Sequence, residues 1–182
     1  MIITFHEVWW FIETTHVDKT VLELIHPETG NKISPDTYII KTHCENRYNM
    51  DALRTLWEDG YSFIVHGSQI TPNVKNLVEE VESDHNVDAQ SHIYMGKKNS
   101  RSFPTHADNP DNLIVQCIGK SKVTIYNEYS DQSGPCRDTT NLTIKEQYVL
   151  EPGNSIYIPS LQFHHFEPLT DRLSISIPMY KK

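Results

Sequence analysis

Apolar and polar residues alternate along the last part of the chain. Residues 173–177 read Leu-Ser-Ile-Ser-Ile, so every second side chain is apolar. Because successive side chains of a strand point to opposite faces, this alternation predicts a strand with one buried face. Residues 113–118 and 155–158 form two further short apolar runs, and the second follows the turn-forming pair Pro152-Gly153. The pattern predicts a mainly β fold here.

The first 48 residues carry patterns that also favour strands. Residues 1–14 form a dense apolar and aromatic run rich in β-forming residues, which predicts one or two strands with their aromatic side chains in the core or at a sheet edge. Residues 21–26 and 37–41 predict two more, separated by turn-forming residues. We therefore expect residues 1–48 to supply accessory N-terminal strands.

The segment 49–90 changes to a helical pattern. Residues 49–58 place Met50, Leu53, Leu56 and Trp57 at helical spacing, which predicts a short amphipathic helix. A strand follows at residues 61–66. Thr71 and Pro72 then suit the N-cap and first position of a second helix. Two helices and a strand are expected here, before the strand-rich residues 91–182.

Composition places the chain among globular proteins of one domain, spanning residues 1–182. It is 37% hydrophobic and 22% charged, and no apolar run approaches the length that crosses a bilayer. The start, MIITFHEVWW, has no basic segment before its apolar residues, so it does not predict a secretory signal. A cytoplasmic location without membrane association is the resulting expectation.

Charge and cysteine content narrow the partners. The net charge of −8 makes binding to nucleic-acid phosphates unlikely and makes a basic partner an easier match. The three cysteines, Cys44, Cys117 and Cys136, have no paired spacing. They therefore predict neither a disulfide framework nor a zinc knuckle.

Candidate chemistry centres on two histidines and one carboxylate. His106 and Asp108 precede the strand at 113–118, and His164 follows the one at 155–158. Residues i and i+2 of a strand point to the same side, so His106 and Asp108 can both face a barrel interior. A His-x-Asp pair alone is weak, because it occurs in surface turns. Two histidines and one carboxylate from separate strands form a facial triad, which favours Fe(II) and leaves coordination positions open.

Several further motifs follow one another along the chain: Tyr94, the FPTHAD block at 103–108, Gln116, Gly119, the LEPGNSIYIP block at 150–159, and His164-His165 with Glu167. With these motifs, the chain resembles the Jumonji C (JmjC) cupins, and among them the small Fe(II)/2-oxoglutarate oxygenases related to ribosomal oxygenases and to the asparaginyl hydroxylase of hypoxia-inducible factor.

The resemblance implies a fold and an activity. The fold would be a double-stranded β-helix, or cupin (jelly-roll) barrel, with flanking strands and a few short helices, and residues 91–182 would form the core barrel that carries the metal site. The activity would be that of an Fe(II)- and 2-oxoglutarate-dependent dioxygenase that hydroxylates a protein or peptide side chain, with succinate and CO2 as co-products. Demethylation would share the first step. The family places its second histidine five residues after the position of Pro159, which selects His164 over His165 as a metal ligand beside His106 and Asp108.

The anchor for 2-oxoglutarate departs from the family pattern. Tyr94 matches a family tyrosine, and Asn112 matches an asparagine near the metal-bound end of the co-substrate. The family cation, thirteen positions after Asp108, is replaced by Ser121. Lys122 could turn inward at a β-bulge, or Arg172 could reach across from the last strand. We favour Lys122 slightly; a different co-substrate is the third option.

Two polar segments and the other histidines complete the inventory. Lys97, Lys98, Asn99 and Arg101 lie in a loop expected at the mouth of the site, where contact with substrate and a solvated cluster are both open. Residues 127–141 suit either a substrate-gripping lid or a plain connection. The remaining histidines lack ligand spacing and are expected to be ordinary surface or core residues: His6, His16, His26, His43, His66, His85 and His92.

Two alternative functions stay open. Ser121 supports another metal-dependent cupin enzyme that does not use 2-oxoglutarate. A non-catalytic ligand-binding or assembly cupin is the other alternative, although the retained triad and Tyr94 argue against it. Little chain follows Met179, so the dimerisation and winged-helix segments of ribosomal oxygenases are not expected here. The oligomeric state stays open, with a homodimer among the options.

Overall fold

Two antiparallel sheets enclose the cavity that carries the candidate site. The structure is a computed structural model and describes residues 2–15, 17, 21–43, 45–67, 71–100, 103–136 and 138–182. The helices are α1 (Phe5–Thr14), α2 (Met50–Glu58) and α3 (Pro72–His85). The strands are β1 (Leu22–Ile25), β2 (Ile39–Lys41), β3 (Asn46–Tyr48), β4 (Ser62–His66), β5 (Val87–Ala89), β6 (His92–Gly96), β7 (His106–Ala107), β8 (Asp111–Ile118), β9 (Ser121–Tyr129), β10 (Gly134–Pro135), β11 (Ile144–Leu150), β12 (Ser155–Ile158), β13 (Gln162–Pro168) and β14 (Arg172–Lys181).

The sheet order shows how distant parts of the chain meet. The major sheet has the order β1-β4-β6-β14-β8-β12, and β5 also pairs with β14. The minor sheet has the order β10-β7-β13-β9-β11, and β2 pairs with β3 separately. The last long strand, β14, therefore lies between β6 and β8 in the middle of the major sheet. This mainly β architecture confirms the predicted fold class.

The beginning of the chain is helical, so the prediction of strands at residues 1–14 is wrong. Thr4 and Glu7 form a capping box: the Thr4 hydroxyl accepts from the Glu7 backbone N–H at 3.2 Å, and the Glu7 carboxylate accepts from the Thr4 N–H at 2.8 Å. Val8 and Ile12, four positions apart, are buried on one face of α1. The aromatic side chains that favoured a strand instead pack against neighbouring elements, as Trp9 does against Phe63 with 5.5 Å between ring centres.

The other predicted elements are confirmed with small changes of boundary. The strand expected at 21–26 is β1, and the one expected at 37–41 is β2 preceded by a short 3-10 turn, Pro35–Thr37. Asn49 caps α2 and Thr71 caps α3, each accepting a backbone N–H of the first turn. The first 48 residues thus supply strands as well as a helix.

Alternation along β14 separates the core from the cavity. Leu173, Ile175 and Ile177 are fully buried in the main apolar cluster, together with side chains of α1, α2 and α3. Their neighbours Ser174 and Ser176 point to the opposite face, into the space between the sheets. The same strand therefore packs the helices on one side and lines the site on the other.

Gly119, directly after β8, permits a close approach of two chain segments. Gly119 has φ +69°, and a Cβ at this position would lie 1.9 Å from the carbonyl oxygen of Asp171. Only glycine fits such an approach, which brings the β8–β9 turn against the start of β14.

Two sequence expectations concern membranes and cysteines. No helix in the described part of the chain is long and apolar enough to span a bilayer. Cys117 and Cys136 form no disulfide, and Cys44 lies outside the described residues.

Candidate metal centre

The two histidines and the aspartate predicted from sequence meet at one point. His106 on β7 and His164 on β13 lie directly opposite each other in antiparallel register, and Asp108 follows β7 immediately. The His106 Nε2 lies 3.8 Å from Asp108 Oδ1, and the His164 Nε2 lies 3.6 Å from Asp108 Oδ2. One candidate ligand atom from each residue falls within 4.8 Å of the other two. A single ion can contact all three side chains.

Backbone carbonyls select the nitrogens that face this point. The His106 Nδ1 lies 2.9 Å from the carbonyl oxygen of Pro104, and the His164 Nδ1 lies 2.9 Å from that of Gln162. Because a carbonyl oxygen only accepts, each Nδ1 carries the proton, and each Nε2 keeps its lone pair. Both imidazoles are therefore fixed in the tautomer that a metal ligand needs.

The aspartate is positioned by a chain of hydrogen bonds from the major sheet. Asn112 donates through Nδ2 to Asp108 Oδ2 at 3.2 Å, and the Ser176 hydroxyl donates to Asn112 Oδ1 at 2.7 Å. Asn112 and Ser176 are both buried, so water competes little with these bonds. Asn112, which sequence reasoning placed near the co-substrate, contacts the carboxylate directly.

Burial keeps the second histidine neutral. His164 is only 2% exposed, and desolvation is the main cause that lowers its pKa, with the neighbouring His106 adding to the effect. A neutral imidazole offers a lone pair at neutral pH without first losing a proton. The site is thus prepared for a cation by its surroundings as well as by its ligand types.

A buried arginine shares the cavity with the triad. Arg172, at the start of β14, is 3% exposed, and its Nη1 donates to the Ser174 hydroxyl at 3.2 Å. Burial lowers the pKa of Arg172 to about 10, which still leaves it protonated at neutral pH, and burial raises the pKa of Tyr94. Arg172, Ser174 and Tyr94 line the same cavity as the three candidate ligands.

The preference for Lys122 as the inward cation is wrong. Ser121 is completely buried, and the register of β9 with β11 and β13 is regular at Lys122, so alternation sends the lysine outward. Its ammonium lies 3.4 Å from Glu167 Oε2 with more than a third of the side chain exposed. The β-bulges of these pairings fall elsewhere, beside Ile144 and His164. Arg172 is the cation that lines the cavity.

Several other predicted residues lie outside this cavity. His165 points to the other side of β13 and lines a separate surface groove with Glu167, as expected from alternation. Lys97 pairs with Glu58, and the Lys98 backbone N–H donates to Asp171 at 2.9 Å. Asn99 lines the same groove as His165, while Arg101 lies outside the described residues.

Ser174 and Ser176 are polar residues of the site that sequence reasoning missed. Their signal was present in the alternating pattern at 173–177, whose apolar positions were assigned to the core. The polar positions between them had to face the opposite side of the same strand.

Comparison with known proteins agrees with this geometry. The sequence model of the JmjC domain matches residues 64–182. The chain therefore belongs to the JmjC domain family, as the motifs indicated. A search of curated proteins finds no match.

Solved structures of one bacterial protein share the fold across the whole chain. The ribosomal oxygenase YcfD from Escherichia coli, in complex with cobalt and 2-oxoglutarate, matches with a TM-score of 0.70 and 17% identity, covering 100% of this chain and 45% of that one. Its complex with cobalt and succinic acid gives a TM-score of 0.68 at 15% identity, covering 100% and 45%. This chain thus spans a little under half the length of YcfD. At such identities the match shows the fold alone: this chain shares the fold of the matched part of YcfD.

Proposed function

We propose that this chain is an Fe(II)- and 2-oxoglutarate-dependent dioxygenase that hydroxylates a side chain of a protein or peptide, with succinate and CO2 as co-products. One observation carries the proposal: a two-histidine, one-carboxylate cluster and a buried arginine line the same cavity. The first is the ligand set of a non-haem iron centre with open positions. The second is a counter-charge for an anionic co-substrate.

The residues present fit the metal. His106, Asp108 and His164 would hold it through two Nε2 atoms and a carboxylate oxygen, and both imidazole Nδ1 atoms already face backbone carbonyls. Two neutral imidazoles and one carboxylate leave a divalent ion with one net positive charge, which suits a dianionic oxo acid. When bound, iron with 2-oxoglutarate supplies the oxidising chemistry.

The residues present also fit the co-substrate. Arg172 would receive its distal carboxylate as a two-pronged donor, and Ser174 and Tyr94 add hydroxyl groups in the same cavity. The cation expected at the position of Ser121 is then not needed from β9, because Arg172 on β14 supplies it. This arrangement favours 2-oxoglutarate over the co-substrate of another cupin enzyme.

The chain's own side chains would protect and orient the reaction. Phe103, Ile114 and Phe166 supply an apolar wall to the cavity, which limits water around the metal. Asn112 and Ser176 hold Asp108 in place. A surface groove rimmed by Gly30–Lys32 on one side and β10 on the other reaches His106 and Asp108, and the substrate side chain would enter there.

Slow consumption of 2-oxoglutarate without prime substrate tests the proposal. Wild-type protein with Fe(II) should form succinate in step with oxygen uptake. Arg172→Ala should raise the 2-oxoglutarate concentration needed for half-maximal rate by roughly 100-fold, because truncating one partner of a buried charged pair typically costs a few kcal/mol. Lys122→Ala is the matched control and should behave as wild type.

Two results would overturn it. Absence of succinate from iron-loaded wild-type protein would exclude the 2-oxoglutarate reaction. Equal effects of the Arg172 and Lys122 substitutions would remove Arg172 as the anchor.

A further inference from the structure

A second pair of histidines lies outside the triad, on the major sheet. His66 on β4 and His92 on β6 are directly opposite in register, and their Nδ1 atoms are 3.0 Å apart. Their sequence neighbours Val65 and Ile93 are buried in the main apolar cluster, so both imidazoles point to the other face of the sheet. This is the face that also carries Tyr94 and Ser176.

The relative position of the two rings is compatible with both imidazoles binding one ion. Their centres are 4.7 Å apart and their planes are inclined by 71°. Two imidazoles bound to one ion at about 2.0–2.1 Å, at the right angle of an octahedral or square-planar site, have nitrogens about 3.0 Å apart and ring centres about 4.7 Å apart. A linear N–H···N hydrogen bond of the same length would separate the ring centres by about 5.3 Å, and a bent one brings them closer. The observed spacing therefore permits ion binding as well as a hydrogen bond between the two rings.

A carboxylate stands behind one of the rings. Glu23 Oε2 lies 3.2 Å from the Nε2 of His66, and Lys32 lies 2.8 Å from the same carboxylate oxygen. A carboxylate at the outer nitrogen of a histidine fixes the proton there and directs the lone pair of the inner nitrogen to a metal. Glu23 lies within ion-pair distance of the outer nitrogen of His66, whose Nδ1 faces His92.

The protonation state of His92 is compatible with ligation. Burial, followed by the neighbouring His66, lowers the pKa of His92 to about 4. Its imidazole is neutral at physiological pH, as a metal ligand must be. The His66 side chain is 30% exposed, which gives an ion and its remaining water ligands access from solvent.

We propose that His66 and His92 bind a divalent transition-metal ion through their Nδ1 atoms, at a site separate from the His106–Asp108–His164 triad. Two imidazoles favour zinc, nickel or copper over magnesium or calcium. Ser176 lies opposite His92 in the sheet and donates to Asn112, which donates to Asp108. The ion would therefore sit beside the cavity of the triad and add positive charge next to it.

Metal stoichiometry tests this site with Zn(II) as the probe. Four forms of the full chain are titrated by calorimetry after removal of metal: wild type, His92→Gln, His106→Ala/His164→Ala, and the triple variant. We expect two, one, one and no bound ions respectively. His85→Gln, at an exposed histidine ending α3, should keep two. No ion bound by His106→Ala/His164→Ala, or as many ions in His92→Gln as in wild type, would overturn the proposal.

Two further measurements separate ligation from a loss of structure. Cu(II) bound to the His106→Ala/His164→Ala protein should show electron paramagnetic resonance coupling to two imidazole nitrogens. Glu23→Gln should weaken Zn(II) binding at this site by roughly tenfold, because a residue that orients a ligand typically contributes that much. Absence of the two-nitrogen coupling would contradict the site even if zinc binds. None of these results depends on 2-oxoglutarate turnover, so the proposal can fail or stand independently of the proposed function.

Discussion

The triad and the His66–His92 pair each combine two histidines with a carboxylate, but the carboxylate lies on opposite sides of the imidazoles in the two places. In the triad, backbone carbonyls occupy the Nδ1 atoms and the carboxylate of Asp108 stands among the inward Nε2 atoms. In the pair, the Nδ1 atoms face each other and the carboxylate of Glu23 stands behind. The group at the outer nitrogen therefore decides which nitrogen is available and whether the carboxylate binds the ion or orients a ligand.

Removal of Asp108 should have the largest effect on the first site and little on the second. Asp108→Ala deletes one of three ligand groups, so we expect the affinity of the triad for Co(II) to fall by more than roughly 100-fold, beyond the usual effect of losing an orienting residue. Visible absorption of Co(II) during titration measures this. Glu167→Ala, which removes a carboxylate on the outer side of β13, should leave the affinity unchanged; an equal loss there would contradict the assignment.

Substitution of Arg172 by lysine should separate the effect of its positive charge on 2-oxoglutarate binding from the effect of its two-pronged hydrogen-bond donor. Lysine keeps the charge and loses the two-pronged donor, so 2-oxoglutarate should bind about tenfold more weakly than to wild type and more tightly than to Arg172→Ala. Calorimetric titration of the Co(II)-loaded protein gives these affinities. Equal affinities for wild type and Arg172→Lys would show that charge alone suffices.

The orienting role of Asn112 predicts a smaller effect. Asn112→Ala removes the donor to Asp108, and the affinity of the triad for Co(II) should fall by roughly tenfold. Ser176→Ala, one bond further away, should have a weaker effect in the same direction. An effect of Ser176→Ala larger than that of Asn112→Ala would contradict the order of this hydrogen-bond chain.

The stability of the metal-free protein should depend on pH through His92. The folded pKa of His92 is about 4, below its ordinary value of 6.5, so the unfolded chain binds more protons between these values. The free energy of unfolding should therefore fall as the pH is lowered from about 6.5 to about 4, with no contribution from His92 above that window. Urea unfolding of wild type and His92→Gln measures this, and the slope should be shallower in the variant.

The strands and the His106–Asp108 pair were predictable from local information, whereas His164 was selected by the family resemblance. Alternation at residues 173–177, turn residues around 155–158 and the His-x-Asp spacing each depend on a few neighbouring positions. The helix at the start was missed although its start signal is also local. Its aromatic content favoured a strand, whereas the capping box of Thr4 and Glu7, only three residues apart, set its beginning.

Residues that depend on strand register could not be placed in this way. Lys122 and Arg172 are both cations near the ends of strands, and only the regular pairing of β9 shows that the lysine points outward. His66 and His92 are 26 residues apart and acquire their spacing from the pairing of β4 with β6. Neither the outward direction of Lys122 nor the short distance between His66 and His92 can be read from the sequence around these residues.

An anaerobic titration with Fe(II) and then 2-oxoglutarate tests the central claim most directly. Bidentate binding of the oxo acid to the iron of the triad should produce a visible charge-transfer band in wild type and in His165→Ala, whose imidazole faces the outer groove, and no band in His164→Ala. A wild-type protein that binds iron without the band, or a band that survives in His164→Ala, would contradict the account.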